Sequence, residues 1–181
     1  AGGSDIAALF GLDPWQTSWH VYLEKIGELP PEEQSKPKEW GLLLEDVIAA
    51  AYEEERGVNP VVPDEPTYQH RDIPYLIASP DRFVELGGER CVLEIKTGQR
   101  TDDWGTPGTD EIPENYLLQV QHQLNVGNAN LAHVAVLFGG HDFKVYAVER
   151  NDKLIDAITR KAVQFWEKHV APRMPPLPDW Q

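Results

Sequence analysis

Two short apolar runs that carry charged residues constrain this chain most. Residues 77–84 contain Asp81, and residues 91–97 contain Glu94 and Lys96. A glycine-containing turn separates the runs, which predicts two neighbouring strands of a hairpin. Because strand side chains alternate between faces, Glu94 and Lys96 point the same way. Two carboxylates and an ammonium then converge in apolar surroundings, where isolated charges are costly. A divalent cation with oxygen ligands, Mg²⁺ or Mn²⁺, is the natural compensator.

A Glu-x-Lys pair on a strand is, by itself, most often an exposed ion pair, so further evidence for a site is needed. A long helix is predicted to supply it in the form of another carboxylate. The helix begins at Pro37 or Lys38 and ends at Arg56, with a glycine as its stop. Steps of 100° place one acid, Glu45, in the middle of its apolar stripe. That stripe consists of Gly41, Leu44, Ile48 and Tyr52. Glu45 therefore either pairs with a buried cation or joins a metal site.

A second amphipathic helix is predicted over residues 114–126, and it carries interleaved glutamines. Gln119 and Gln121 are about 200° apart on the helix, so only one of them faces any single site. Strands are predicted over 131–138 and 143–148, and a closing helix over 152–169. The order of elements predicts an α/β fold with a central mixed β-sheet flanked by helices.

Length and composition exclude several classes of protein. A chain of 181 residues with 41% hydrophobic residues is expected to form one domain, 1–181, with a Pro-rich tail at 172–181. One cysteine excludes a disulfide framework and a Cys-ligated cluster. No membrane span or signal peptide is visible, so a cytoplasmic location is expected. The net charge of −14 argues against sequence-independent coating of long duplex DNA.

Two further segments have a plain and a functional interpretation. Ser4 is a good N-cap for a helix to Phe10, and the glycines before it allow backbone N–H groups to hold a phosphate. Residues 97–113 lack periodicity, which is typical of a functional loop. Trp104 within that loop is expected either to stack on a base or to anchor the loop.

Taken together, these motifs resemble the PD-(D/E)xK nuclease superfamily. More narrowly, they are similar to the YqaJ-type viral recombinases, relatives of lambda exonuclease. The resemblance covers residues 2 to about 148 and rests on the following segments: Gly2-Gly3-Ser4-Asp5-Ile6-Ala7, Glu45, Ser79-Pro80-Asp81, Glu94-Ile95-Lys96, Trp104-Gly105, Ile112-Pro113, and Tyr116 with Gln119 and Gln121-His122. It implies a restriction-endonuclease-like core.

The resemblance also implies a mechanism. Asp81, Glu94 and the Ile95 carbonyl would hold Mg²⁺ or Mn²⁺, and Glu45 would hold a second metal or position its waters. Lys96 would orient the attacking water or stabilise charge on the phosphate. Gln119 or Gln121 would fix the nucleophile or Lys96, and the family pattern favours Gln121. The remaining implied residues bind phosphate: Ser4, Ser79 and, as a further candidate, Arg100. The arginine that such proteins carry upstream of the Gly-Gly-Ser segment would lie before Ala1.

The implied activity is 5′→3′ digestion of linear double-stranded DNA from an end by a phage or prophage enzyme. The 3′ overhang would pass to a single-strand annealing protein, and a ring-shaped homotrimer would surround the DNA. Alternatives from the same residues are an endonuclease or RecB-like nuclease of the superfamily, and a non-catalytic module that binds DNA ends. End-dependence on linear versus circular DNA separates the nucleases, and retention of both Asp81 and Lys96 disfavours the non-catalytic module.

Overall fold

The computed structural model describes residues 1–30 and 35–177. In chain order, the helices are α1 (Gly3–Leu9), α2 (Ser18–Lys25), α3 (Lys36–Arg56), α4 (Glu114–Val126) and α5 (Asp152–Phe165). The strands are β1 (Tyr68–Gln69), β2 (Ile77–Ala78), β3 (Arg82–Leu86), β4 (Glu89–Gly98), β5 (Leu131–Phe138) and β6 (Asp142–Glu149). A π-helical turn, Trp166–Val170, continues α5, so the predicted closing helix is two elements. The predicted tail lies partly outside the described residues, at 178–181.

The four longest strands form one mixed sheet in the order β3-β4-β5-β6. Strands β4 and β5 are parallel, and the other two pairs are antiparallel. Strands β1 and β2 form a small separate antiparallel pair. The predicted α/β fold with a mixed sheet is therefore confirmed. Within 1–30 and 35–177, no helix is long and apolar enough to cross a membrane.

Helices cover both faces of the sheet. Val120 and Leu124 of α4 pack on one face, against apolar side chains of β4, β5 and β6. Helices α1 and α5 pack against the outer side of α4. On the opposite face, Ile48 and Tyr52 of α3 pack against Leu93 and other side chains of β3 to β6. Alternation along β4 therefore directs the even-numbered Glu94 and Lys96 towards α4.

Glycines set two of the boundaries that position the site. Helix α3 ends at Gly57, whose φ of 65° is the left-handed conformation that closes a helix. The turn between β3 and β4 contains Gly87 and Gly88, with φ values of 61° and 84°. Positive φ at both central residues matches the twist of a two-residue hairpin. This turn fixes the register in which Arg82 pairs with Leu93.

The start of α1 differs from the prediction. The N-cap is Gly2, and Ser4 lies within the first turn instead of capping it. The cause is Asp5, whose Oδ2 accepts a hydrogen bond of 2.6 Å from the Gly2 backbone N–H. This bond fixes the residue before the helix, as an acid at the third helical position often does. Ser4 is left exposed.

Trp104 anchors the long loop that follows β4. Its ring lies edge-on to Phe138 at 5.4 Å between centroids, and 5.0 Å from the Tyr146 ring. Tyr116 of α4 completes the cluster at 5.6 Å. Of the two interpretations given to Trp104, the structure favours the anchor, because these contacts hold the loop against the sheet.

Candidate active site

The β3–β4 hairpin brings Asp81 and Glu94 together. Arg82 pairs with Leu93, so Asp81 lies beside Glu94 at the start of β3. The backbone N–H of Ile95 donates a hydrogen bond of 2.7 Å to Asp81 Oδ2. A single hairpin thus fixes both carboxylates, as its sequence predicted.

Glu94 is held by three side chains, and it is only 2% exposed. Lys96 Nζ and Gln119 Nε2 donate to its Oε1 at 2.6 and 2.7 Å. Gln123 Nε2 donates to its Oε2 at 2.7 Å. Lys96 also donates to Gln119 Oε1 at 3.2 Å, which closes the network. These bonds satisfy the buried carboxylate and fix its orientation.

The two charged groups beside Glu94 have shifted pKa values. Burial, followed by the charge of Glu94, raises the pKa of Asp81 to about 8, although the Ile95 N–H acts in the opposite direction. Burial alone would lower the pKa of Lys96, but the charge and hydrogen bond of Glu94, with the charge of Asp81, outweigh it, and the pKa is raised. Lys96 is therefore an ammonium at neutral pH. As an ammonium it can donate hydrogen bonds and stabilise negative charge.

Glu45 stands at the edge of this group and pairs with an arginine. Its Oε2 is 3.6 Å from Nη1 of the buried Arg82. Burial raises the pKa of Glu45, and the charge of Arg82 opposes that shift. Both alternatives considered for Glu45 thus meet here, because it has a buried cation as partner and also borders the carboxylate cavity.

Two adjoining cavities open over these residues. The larger, of about 390 Å³, is lined by Glu45, Ser79, Asp81, Glu94, Ile95, Lys96, Tyr116 and Gln119, together with the first turns of α3. The smaller, of about 250 Å³, is lined by Gly2, Gly3, Ser4, Asp5, Lys25, Ser79, Gln119 and Gln123, among others. Ser79 and Gln119 belong to both. The predicted pair Ser4 and Ser79 therefore lies in one cavity beside the carboxylates.

The donor set suits a small divalent cation. Mg²⁺ is commonly bound by one or two carboxylates, keeps several waters and leaves room for substrate phosphates. Asp81 and Glu94 provide two such carboxylates on an open cavity. In residues 1–30 and 35–177, no three Asp, Glu, His or Cys side chains form a group that could hold a metal ion as placed. The residues therefore fit a two-carboxylate site, with Glu45 outside the direct ligand set in this arrangement.

Two predicted site residues lie elsewhere. Gln121 was favoured over Gln119, but it is 1% exposed and faces away from the carboxylates. Its Nε2 donates to the Glu149 carbonyl at 2.7 Å, and its Oε1 accepts from the Asn151 N–H at 2.9 Å. Gln119 takes the place in the site, because the helix face it shares with Tyr116 is the one turned towards β4. Arg100 is exposed and pairs with Asp102, and it lines neither cavity.

The sequence profile of the YqaJ-like viral recombinase domain matches residues 1–130. The chain belongs to this family. The resemblance inferred from the motifs is thereby confirmed. Over 174 residues, the chain is 36% identical to an uncharacterized protein, YqaJ, of Bacillus subtilis (strain 168). That alignment covers 93% of this chain and 53% of the relative, so the chain spans about half the length of the curated relative it matches.

Solved structures share the fold of this YqaJ-like domain. An alkaline exonuclease (LHK-Exo) from Laribacter hongkongensis has a TM-score of 0.73 at 21% identity, covering 93% of this chain and 86% of that one. It has also been solved in complex with dAMP. A phage-related exonuclease from Haemophilus somnus 129PT has a TM-score of 0.69 at 13% identity, with 92% of each chain covered. At these identities the likeness shows the fold.

Sequence reasoning missed three residues of the YqaJ-like site. Gln123 is one helical turn after Gln119, so its place on the same face was visible in the spacing. Arg82 directly follows Asp81, but the strand pattern does not indicate which helix its side chain contacts. Lys25 reaches Asp5 Oδ2 at 2.9 Å from a separate helix, which no local motif indicates.

Proposed function

We propose that this domain is a metal-dependent deoxyribonuclease that hydrolyses phosphodiester bonds. The observation that carries the proposal is the arrangement of Asp81, Glu94 and Lys96 on one cavity, with Lys96 bonded to Glu94. Two carboxylates kept beside an ammonium in a buried position destabilise the fold unless they serve a ligand. A divalent cation and a phosphate are the ligands that match these charges.

In this proposal, the residues of the site have separate roles in metal binding and hydrolysis. When bound, Mg²⁺ or Mn²⁺ would lower the pKa of water and offset phosphoryl charge. Asp81 and Glu94, with the Ile95 carbonyl, would hold the ion, and Glu45 would orient its waters. Lys96, held as an ammonium, would donate to the attacking water or to the phosphate oxygens where negative charge develops.

Gln119 and the smaller cavity would serve the substrate. Gln119 borders both cavities and bonds Lys96 and Glu94, so it would keep the ammonium aimed at the reacting phosphate. Ser4 and Ser79 line the smaller cavity, which adjoins the cavity of the carboxylates, and we assign it to the terminal 5′-phosphate. Arg100 would contribute only through a more distant contact with the DNA backbone.

The finer proposal is a 5′→3′ exonuclease acting on ends of linear double-stranded DNA. It would leave 3′ overhangs for a single-strand annealing protein in the cytoplasm of a bacterium or phage-infected cell. The resemblance supports this proposal, and so does the separate small cavity beside the carboxylates, which could take a terminal phosphate. A homotrimeric ring would reconcile the net charge of −14 with a locally basic channel, and sedimentation would reveal the trimer.

The test is an assay on end-labelled linear duplex with Mg²⁺ or Mn²⁺. We expect degradation that stops with chelator, runs faster with a 5′-phosphate than with a 5′-hydroxyl, and spares closed circles. Equal rates on closed circles and linear duplexes would show that the enzyme is an endonuclease and not an exonuclease. If the protein binds DNA ends but cleaves them with none of the metals tested, the proposal of an enzyme is wrong. The alternative of a non-catalytic module that binds DNA ends would then hold.

A further inference from the structure

Arg82 is a buried arginine that connects β3 to α3. Its Nη1 donates to the Asp81 backbone carbonyl at 2.6 Å, and its Nη2 donates to Asp46 Oδ1 at 2.6 Å. Nη1 is also 3.6 Å from Glu45 Oε2. One side chain therefore contacts the backbone of one predicted metal ligand and the carboxylate of another acid on the same cavity.

Helix α3 needs such a connection because its first half is packed on the sheet much less than its second half. Its buried side chains are Ile48, Ala49 and Tyr52. Before Ile48, Leu44 is partly buried against the same cluster, but four other large apolar side chains are exposed by more than half: Trp40, Leu42, Leu43 and Val47. Glu45 belongs to this weakly packed half. Leu44 is thus the main apolar contact that holds the helix where Glu45 must be placed.

We infer that Arg82 is a positioning residue that ties the first half of α3 to the strand carrying Asp81 and so places Glu45 at the metal site. This inference rests on the proposed function, since it assigns a role in that site. The planar guanidinium suits the task because its fork reaches two acids and a carbonyl at once. A lysine ammonium at the same place would keep the charge but could not span them all. Partners that orient a metal site typically affect metal affinity 10- to 100-fold.

The experiment measures Mn²⁺ binding by titration calorimetry, well below the melting temperature, together with melting curves in chelator. Arg82→Met keeps the buried length of the side chain and removes the guanidinium. We expect its Mn²⁺ dissociation constant to rise roughly tenfold. Arg82→Lys, which keeps the charge, should fold at least as well and recover only part of that affinity. It serves as the deciding variant if Arg82→Met does not fold.

Tyr52→Phe is the matched control on the same helix. It removes the hydrogen bond of 2.7 Å between the Tyr52 hydroxyl and His133 Nδ1, about two helical turns after Glu45. It should lower the melting temperature and leave Mn²⁺ affinity unchanged. Equal loss of affinity in Tyr52→Phe and the Arg82 variants would overturn the inference, because general loosening of α3 would then explain both.

A double-mutant cycle separates positioning from simple charge. If Arg82 acts through Glu45, then Glu45→Gln should weaken Mn²⁺ binding in the wild type and add little in the Arg82→Lys background. Fully additive losses would contradict the inference. Normal Mn²⁺ binding by both Arg82 variants would overturn the inference alone, whereas no Mn²⁺ binding by the wild type would overturn the proposed metal site as well.

Discussion

Two faces of helix α4 use the same residue type for opposite purposes. Gln119 and Gln123 point to the cavity, where they bond Glu94. Gln121, two residues from each, points to the start of α5 and bonds the Glu149 carbonyl and the Asn151 N–H. On one face glutamines hold a carboxylate that costs stability to bury. On the other a glutamine satisfies backbone groups that would otherwise be unpaired.

The difference lies in how completely each face is satisfied. Both polar atoms of the Gln121 side chain have partners. On the cavity face, Gln123 Oε1 is buried without a partner among the described residues, and burial keeps the Asp81 pKa near 8. Unsatisfied polar groups and shifted pKa values are typical of functional sites. The comparison therefore predicts that substitutions on the cavity face reduce activity and those on the other face reduce stability.

The largest effect is expected from Lys96→Ala. In the proposed mechanism its ammonium would stabilise charge on the phosphate, so hydrolysis of linear duplex should fall by roughly 100-fold or more. With Mn²⁺ bound, the melting temperature should change little, because the metal supplies the compensating charge. Lys144→Ala, which removes an ion pair on β6, should leave hydrolysis unchanged. Near-normal turnover by Lys96→Ala would remove Lys96 from the mechanism.

Gln119→Leu should affect activity more than folding. It frees Lys96 and one oxygen of Glu94 from their shared partner, and we expect a loss of roughly tenfold in kcat. Thermal melting and initial-rate kinetics on the same preparation measure both quantities. A large drop in melting temperature with normal kcat would show that Gln119 belongs with the structural face.

Gln121→Leu should give the opposite pattern. Two part-buried hydrogen bonds to the backbone of Glu149 and Asn151 are lost, which costs about 1–3 kcal/mol in total. For a domain of this size, each kcal/mol shifts the melting temperature by roughly 2–4 °C. Hydrolysis measured well below that temperature should match the wild type. A specific loss of kcat at unchanged stability would restore Gln121 to the site.

The final prediction concerns the pH dependence of stability in the metal-free protein. Because the Asp81 pKa is raised in the folded state, Asp81 stabilises the fold below about pH 4, and this contribution is lost as the pH rises through about 8. His122, whose pKa burial lowers to about 4, changes stability in the opposite direction at low pH. The difference between wild type and Asp81→Asn isolates Asp81. In chelator, the free energy of unfolding of the variant should rise relative to that of the wild type as the pH increases to 8. The gain is at most about 1.4 kcal/mol per pH unit. A stability difference between the two proteins that does not change with pH would contradict the raised pKa of Asp81.

Local patterns were enough to predict most of the fold. The hairpin of β3 and β4, the α3 stop at Gly57 and the bounds of α4 follow from strand alternation, glycine turns and helical periodicity. The convergence of Asp81, Glu94 and Lys96 follows from the same alternation. These features depend on residues close in sequence, where the pattern alone decides the geometry.

The rest depends on contacts between distant segments. Which glutamine of α4 faces β4 is decided by how α1 and α5 pack on the outer side of that helix, and a single helix does not contain that information. The partners of Arg82 lie 36 and 37 residues earlier in the chain, on a helix whose first half is weakly packed. Ser4 failed as a cap because Asp5 already bonds the residue before the helix.

The most direct test of the account compares melting curves of the wild type and Asp81→Asn, each in chelator and in millimolar Mn²⁺. In chelator the variant should melt at or above the wild-type temperature, since the cost of burying Asp81 beside Glu94 is removed. Mn²⁺ should stabilise the wild type by binding to its folded state alone, and it should stabilise the variant much less. Parallel shifts in the two proteins would contradict the assignment of Asp81 and Glu94 to a metal site.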